Sequence, residues 1–342
     1  MGLATIHSRA AVGIEAPEVT VEVNLSPGLP LFGIVGLPET AVRESKDRVR
    51  AAIRNCEFKL PSWRTTVSLA PADLPKEGAR FDLPIAVGVL AASGQIEVED
   101  LDAWEFLGEL SLTGRLRAVK GALPAIIRAR DAGRKMILPR SNAEEAGLVG
   151  NAEVYLAESL AEVAAALNGH QPLPRAEPAA DTIEFTGPDL CDVLGQHRAR
   201  RALEICAAGG HNLLLIGPPG TGKTLLASRL PGILPPMEED EALEAAAVAS
   251  VAGLGLDPAT WKQRRFRTPH HTASGVALVG GGCQLQRLTL LYRSLRYPDP
   301  LHAPELHGKF SRRFHPLLQI TCFDPPTFCP GPSLGFAVPP SP

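Results

Sequence analysis

Eight consecutive residues carry the clearest chemistry in this sequence: Gly217, Pro218, Pro219, Gly220, Thr221, Gly222, Lys223 and Thr224, reading GPPGTGKT. The spacing is G-x-x-x-x-G-K-[ST]. Glycines there let a loop turn successive backbone N–H groups inward around a phosphate, the lysine ammonium bridges the β- and γ-phosphates, and the threonine hydroxyl ligates Mg²⁺. The motif implies a site for a nucleoside triphosphate, ATP, together with its Mg²⁺. A plain glycine turn between two core elements would not require the Lys-Thr pair, and a chance match in a chain this long arises on the order of once in a hundred sequences.

A phosphate loop works only between a strand that fixes its start and a helix whose first turn offers unpaired N–H groups. Both are legible. Residues 213–216, LLLI, form a short apolar strand before the loop, and LLASRL continues after it. Upstream, residues 196–208 have helical spacing, and Gly209-Gly210 provide the stop.

A second α/β region precedes this one. The alternation TVEVN at 20–24 reads as a strand, 39–55 as a helix with Val42, Val49, Ala52 and Ile53 on one side, 65–70 as a β-branched strand and 83–92 as an apolar helix. Strand 106–112, helix 122–132, strand 136–139 and helix 159–167 complete it. The segment NGHQPLPRAEPAAD, rich in proline and small residues, has no periodic apolar set and reads as a linker. The boundaries are therefore a domain over 1–168, a linker over 169–182, a nucleotide-binding domain over 183–282 and a tail over 283–342.

Composition narrows the function classes. With 34 Lys+Arg against 37 Asp+Glu the net charge is −3, so no global basic field points to nucleic acid or an anionic membrane, and any such contact must be local. The six cysteines form no C-x-x-C pair and are spread too thinly for a disulfide framework or a zinc knuckle. No run of eighteen apolar residues occurs. A cytoplasmic protein without a membrane span is expected.

Several stretches taken together resemble a known family. Residues 192–196, DVLGQ, followed by helix, strand and GPPGTGKT, are similar to the start of an AAA+ ATPase module. Residues 230–237, LPGILPPM, and 266–282, FRTPHHTASGVALVGGG, resemble the magnesium-chelatase-like AAA+ ATPases. The opening, ATIHSRAAVGIEAPEVTVEVNLSPGLPLFGIVGLPETAVRESKDRVRAAIRN, looks like the N-terminal domain of the YifB/ComM (competence protein M) branch of that family. The likeness covers residues 1 to about 282. It implies an α/β fold: a Lon-protease-like (ribosomal S5 domain 2-like) N-terminal domain followed by a P-loop AAA+ domain that is only partial here. Intact members are implied to be homo-hexameric, ATP-dependent DNA branch-migration helicases used in transformation.

The same resemblance allows a test for proteolysis, which in Lon needs a serine activated by a lysine. PKEGAR at 75–80 resembles the nucleophile segment with Arg80 in the place of the serine, and GRLRAVKGAL at 114–123 resembles the lysine segment with Leu123 in the place of the lysine. Lys120 reads as a surface lysine. The domain is expected to be a structural or binding module and not a protease.

After Gly282 the likeness stops. The family continues with a Pro-Gly-Glu segment and an apolar strand ending in Asp-Glu, the Walker B carboxylates. This chain instead has three acidic residues, Asp299, Glu305 and Asp324, and eleven prolines over its last stretch. The prolines forbid most regular structure and the tail is expected to be disordered, and no catalytic residue for hydrolysis is identified, neither Walker B nor arginine finger. The change reads as a frameshift or truncation, checked by translating the other two frames beyond codon 282. Binding of ATP without turnover is the leading expectation. A magnesium-chelatase ATPase subunit and an inactive truncated product are the alternatives, the first disfavoured by the Lon-like domain.

Other motifs carry less. His270 and His271 lack companions for a tetrahedral metal set. WKQRRFR at 261–267 mixes cations and aromatics as a phosphate-pairing, base-stacking segment does, but the leading reading is a solvated charged turn. Arg43, Lys46, Arg48, Arg50 and Arg54 give the first long helix a basic side, read as a solvent face.

Overall fold

The computed structural model describes residues 2–36, 40–98, 100–179, 187–264, 266 and 320–323. The chain folds as two compact units, Met1–Asp181 with Asp240–Trp261, and Thr182–Glu239 with Lys262–Pro342.

The first unit is built on a seven-stranded sheet. In chain order its elements are β1 (Gly2–Arg9), β2 (Glu18–Ser26), β3 (Phe32–Val35), α1 (Thr40–Asn55), β4 (Arg64–Ala70), α2 (Asp82–Ala92), β5 (Trp104–Phe106), β6 (Glu109–Leu110), β7 (Leu116–Arg117), α3 (Ala122–Asp131), β8 (Lys135–Pro139), α4 (Ala143–Gly147), β9 (Val154–Ala157) and α5 (Leu160–Leu167). The strand order is β3-β4-β2-β1-β5-β8-β9, with β6 and β7 forming a separate hairpin. β2 pairs antiparallel with β1 and β4, and the remaining neighbours run parallel. In β2 every second residue, Val19, Val21, Val23 and Leu25, is buried, the signature of a half-covered sheet.

α2 supplies that cover and reads as a continuous apolar run because every residue from Asp82 to Leu90 is buried. Gly88 permits the close approach, since a Cβ there would lie 2.6 Å from Val23 Cγ2. Asp82, wholly buried, accepts from Arg48 Nε (2.7 Å), from the Ser45 hydroxyl and from Leu110 N (3.2 Å). Arg48 therefore does not join the solvent face expected of the basic residues of α1. Burial raises the Asp82 carboxyl above its ordinary value even against these donors.

A second buried charge set ties β1 to β5. Arg9 grips Glu105 through Nε (2.7 Å) and Nη2 (2.6 Å), and Arg134 Nη1 adds a contact at 3.2 Å. Leu107 N still donates to Ile137 O of β8, and the chain leaves the sheet one residue later, where Gly108 N turns to Arg80 O. The strand expected over 106–112 is thereby split into β5 and β6.

Two further differences from the sequence reading concern connections. Most of the expected linker lies along the edge strand β9: Leu156 N donates to Pro174 O and Ala176 N to Val154 O, both at 2.9 Å. Prolines suit such an edge because an edge position needs only some of the donors. Residues 240–261, expected in the nucleotide-binding domain, instead pack with the first unit.

The second unit comprises α6 (His197–Gly209), β10 (Leu213–Ile216), α7 (Lys223–Ala227), α8 (Leu230–Ile233), the start of α9 (Glu239–Val251) and β11 (Ile320–Phe323). Its core gathers Leu203, Cys206, Leu213, Leu215, Leu226 and Leu230. Gly210, left-handed at φ 63°, ends α6 as expected, with its neighbour His211 N bonded to Cys206 O. β11 pairs parallel with β10, Leu213 opposite Ile320 through Ile216 opposite Phe323. The four residues of β11 are the part of the tail, expected to lack most regular structure, that forms a strand among the described residues. The stretch between Pro316 and Pro325 is proline-free, so its N–H groups are available for a ladder.

Candidate functional site

The phosphate loop is held at both ends by apolar burial. Leu213 and Leu215 fix β10 in the core, and Leu226 and Ala227 anchor α7 on the other side. Between them Gly220 and Gly222 take φ of 81° and 85°, a region costly for residues with a Cβ. No atom lies within 4 Å of where a Cβ would stand at either position, so conformation and not space selects glycine. α7 is only five residues long because Leu230-Pro231 opens α8 a turn later.

Lys223 is 7% exposed, and its ammonium donates to Gly217 O and Pro218 O, both at 2.8 Å. Thr221 Oγ1 also donates to Pro218 O at 2.9 Å. The ammonium thus sits inside the loop against neutral carbonyls, which phosphate oxygens outbid as acceptors because the bond becomes charge-assisted on both sides. Thr224 follows at the first helical turn and is exposed. All eight motif residues fall on one continuous loop and helix start after β10, an arrangement that fits a triphosphate cradle.

The positions that resemble the Lon dyad have other partners. Arg80 is 6% exposed; its Nη2 donates to Lys120 O at 2.5 Å while Nη1 is buried without a hydrogen-bond partner. Burial lowers its pKa to about 10. Leu123 is fully buried, and its N–H donates to Glu145 Oε2 at 2.9 Å. Lys120 is exposed, as expected, whereas Lys76 is buried with its ammonium on Pro71 O. Neither dyad position thus carries a serine hydroxyl or a lysine amine.

Glu145 and Ser250 were not singled out by sequence. Ser250 Oγ donates to Glu145 Oε2 at 2.8 Å and seats α9, through its Ala246, Ala247 and Ala249 side, in the first unit. The two residues are 105 positions apart, so no local spacing could link them. Burial raises the Glu145 carboxyl above its ordinary 4.5, opposed by the bonds from Ser250 and Leu123. Because the folded pKa is the higher one, this group's contribution to stability is fully present below 4.5 and is lost as pH rises through the folded value. A carbon-detected titration of Glu145 should give a midpoint above 4.5, and Ser250→Ala should move it higher still by removing a donor that favours the carboxylate. An unchanged midpoint in the variant would show that the bond does not form.

Among the remaining motifs, Trp261 of WKQRRFR is 8% exposed, which removes it as a base-stacking platform, and Arg264 Nε donates to Pro235 O. Arg265, Arg267, His270 and His271 lie outside the described residues, as does the rest of 266–282 beyond Phe266. No group of three or more His, Cys, Asp or Glu among the described residues could hold a metal ion, and no described helix is long and apolar enough to cross a membrane.

Comparison with known proteins matches both units. Residues 21–142 match the family of subunit ChlI of Mg-chelatase, and residues 189–289 match magnesium chelatase, subunit ChlI. The chain is 54% identical over 287 residues to competence protein ComM of Haemophilus influenzae, covering 82% of this chain and 56% of that protein. It is 52% identical over 282 residues to the protein YifB of Salmonella typhimurium and 51% identical over 282 residues to YifB of Escherichia coli, each again with 82% of this chain and 56% of the relative covered. The chain thus spans little more than half the length of these relatives.

Proposed function

Because this chain belongs to the YifB/ComM family of magnesium-chelatase-like AAA+ ATPases, we propose that it is the nucleotide-binding part of an ATP-dependent ring motor acting on DNA, and that residues 217–224 bind Mg-ATP. The observation that carries the reading is the Lys223 ammonium, buried within its own loop at 2.8 Å from two backbone carbonyls. When bound, the nucleotide would supply the anhydride bond that a motor spends, and Mg²⁺ would neutralise the phosphate charge without being consumed. The chain's own residues would bind and orient it: Lys223 would exchange its carbonyls for phosphate oxygens, the loop N–H groups would face the phosphates, and Thr224 Oγ1 would hold Mg²⁺.

The first unit takes the Lon-like fold in this reading and serves as a binding or structural module, with Arg80 and Leu123 in the dyad positions. The homo-hexamer and DNA branch migration are proposed for the intact proteins. Within residues 1–342 the expected behaviour is binding without hydrolysis, since the sequence beyond Gly282 offers no Asp-Glu pair to hold the Mg²⁺ shell and orient water.

Two measurements test this. Thr224→Ala should keep metal-free nucleotide binding and lose most of the gain in affinity that Mg²⁺ gives the wild type. Steady-state phosphate release should remain at background with and without DNA. Mg²⁺-dependent, DNA-stimulated turnover would contradict the second half of the proposal.

A further inference from the structure

Parallel α/β sheets bind ligands beyond the carboxyl ends of their strands, where chain ends diverge and backbone groups are not consumed by the ladder. In the first unit β5, β8 and β9 run parallel. Arg140 is the residue after the end of β8 and Glu158 the residue after the end of β9. The β6–β7 hairpin lies beside them: Leu116 N donates to Glu158 O at 2.8 Å and Leu160 N to Gly114 O at 2.9 Å. These bonds fix Arg115 and Arg117 over the same strand ends. The result is an open groove of about 450 Å³ lined by Arg115, Arg117, Arg140, Ser111, Ser141 and Glu158, among others.

The charge balance of this groove departs from that of the chain. Three guanidiniums and several hydroxyls line it with a single carboxylate, on a protein whose net charge is −3. Glu158 meets Arg140 at 3.0 Å and Arg115 at 3.6 Å, and Arg117 meets Glu109 at 3.2 Å. Each guanidinium has five donors, so these contacts leave most of them for another acceptor. The arginine side chains are 63–73% exposed, and ion pairs at that exposure are weak enough to be exchanged for a phosphate at little cost.

We propose that this groove holds the phosphodiester backbone of DNA. Exposure decides between a polymer and a small phosphate. A single phosphate needs an enclosed, desolvated site, whereas a chain of phosphates gains affinity from counterion release at solvent-exposed arginines. No aromatic residue lines the groove, so contact is to backbone and independent of base sequence. The proposal rests on the DNA part of the function given above and is independent of nucleotide binding.

Fluorescence anisotropy of a labelled single-stranded oligonucleotide of about 20 nucleotides, with the full chain and no nucleotide, tests it across a salt series. Each phosphate contact contributes about 0.7 to the slope of log affinity against log salt for a single strand, so the combined variant R115Q/R117Q/R140Q should flatten the slope by about 2 and lower low-salt affinity at least about tenfold. E158Q should tighten binding severalfold by removing the competing carboxylate. Lys223→Ala should bind the oligonucleotide like wild type, which separates failure here from failure of the nucleotide site. Absence of wild-type binding at low salt, equal salt slopes for wild type and triple variant, weaker binding by E158Q, or displacement of the oligonucleotide by inorganic phosphate at equal ionic strength would each overturn the proposal.

Discussion

Lys223→Ala is expected to raise the Kd for Mg-ATP by about 100-fold or more, while the chain keeps its melting temperature within a few degrees. Hydrogen bonds to charged partners contribute about 1.5–3 kcal/mol each, and the ammonium is proposed to bridge two phosphates, so about 3 kcal/mol or more is lost with it. The cost in the ligand-free chain is smaller. There the ammonium meets two neutral carbonyls at 2.8 Å, and of these the one on exposed Pro218 is open to water once the side chain is removed. Anisotropy of a fluorescent ATP analogue with competition by unlabelled nucleotide measures the change. A loss below about threefold would place the phosphates elsewhere on the chain.

Glu105→Ala is expected to destabilise the first unit by about 3–5 kcal/mol, because it leaves Arg9 buried with its main counter-charge removed. Glu105 is wholly buried, Arg9 is 6% exposed, and the two are joined by bonds of 2.6 and 2.7 Å. Among the described residues Arg9 then retains its bond to Ala16 O at 3.2 Å. For a unit of this size the loss corresponds to a fall in Tm of about 10 °C. The double substitution Arg9→Met with Glu105→Leu removes both charges and fills similar volume, so it should recover most of the loss. A double variant as unstable as the single one would mean that β1 and β5 depend on the pair for geometry and not only for charge balance.

What could be read from sequence was local. The strand–loop–helix around 217–224 was legible because the glycines, LLLI and the following helix lie within a few adjacent positions. The alternation in β2 and the apolar side of α1 were legible because half-buried elements display their period. α2 was legible through its run of apolar residues, although the wholly buried Asp82 at its start gave no sign of its partners 34 and 37 positions earlier. β3 was obscured by the glycines and prolines around it, and β6 is too short to carry a period. The placement of 240–261 in the first unit depends on Ser250 meeting Glu145, and the arginine groove depends on three strand and hairpin ends that sequence leaves apart. Such contacts arise from topology, which no short window contains.

The two dyad positions illustrate the same limit from the other side. The resemblance read from sequence put Arg80 and Leu123 where Lon is expected to have its serine and lysine. It could not reveal that Arg80 is buried with one nitrogen unbonded, or that the Leu123 N–H supports the carboxylate on which α9 rests.

The central claim is that this chain holds Mg-ATP in the loop 217–224. Calorimetric titration of the full chain with Mg-ATP tests it most directly. One nucleotide should bind per chain, with affinity that falls when Mg²⁺ is chelated. A chain that takes up no nucleotide at millimolar ligand, or that binds with the same affinity after Lys223→Ala, would contradict it.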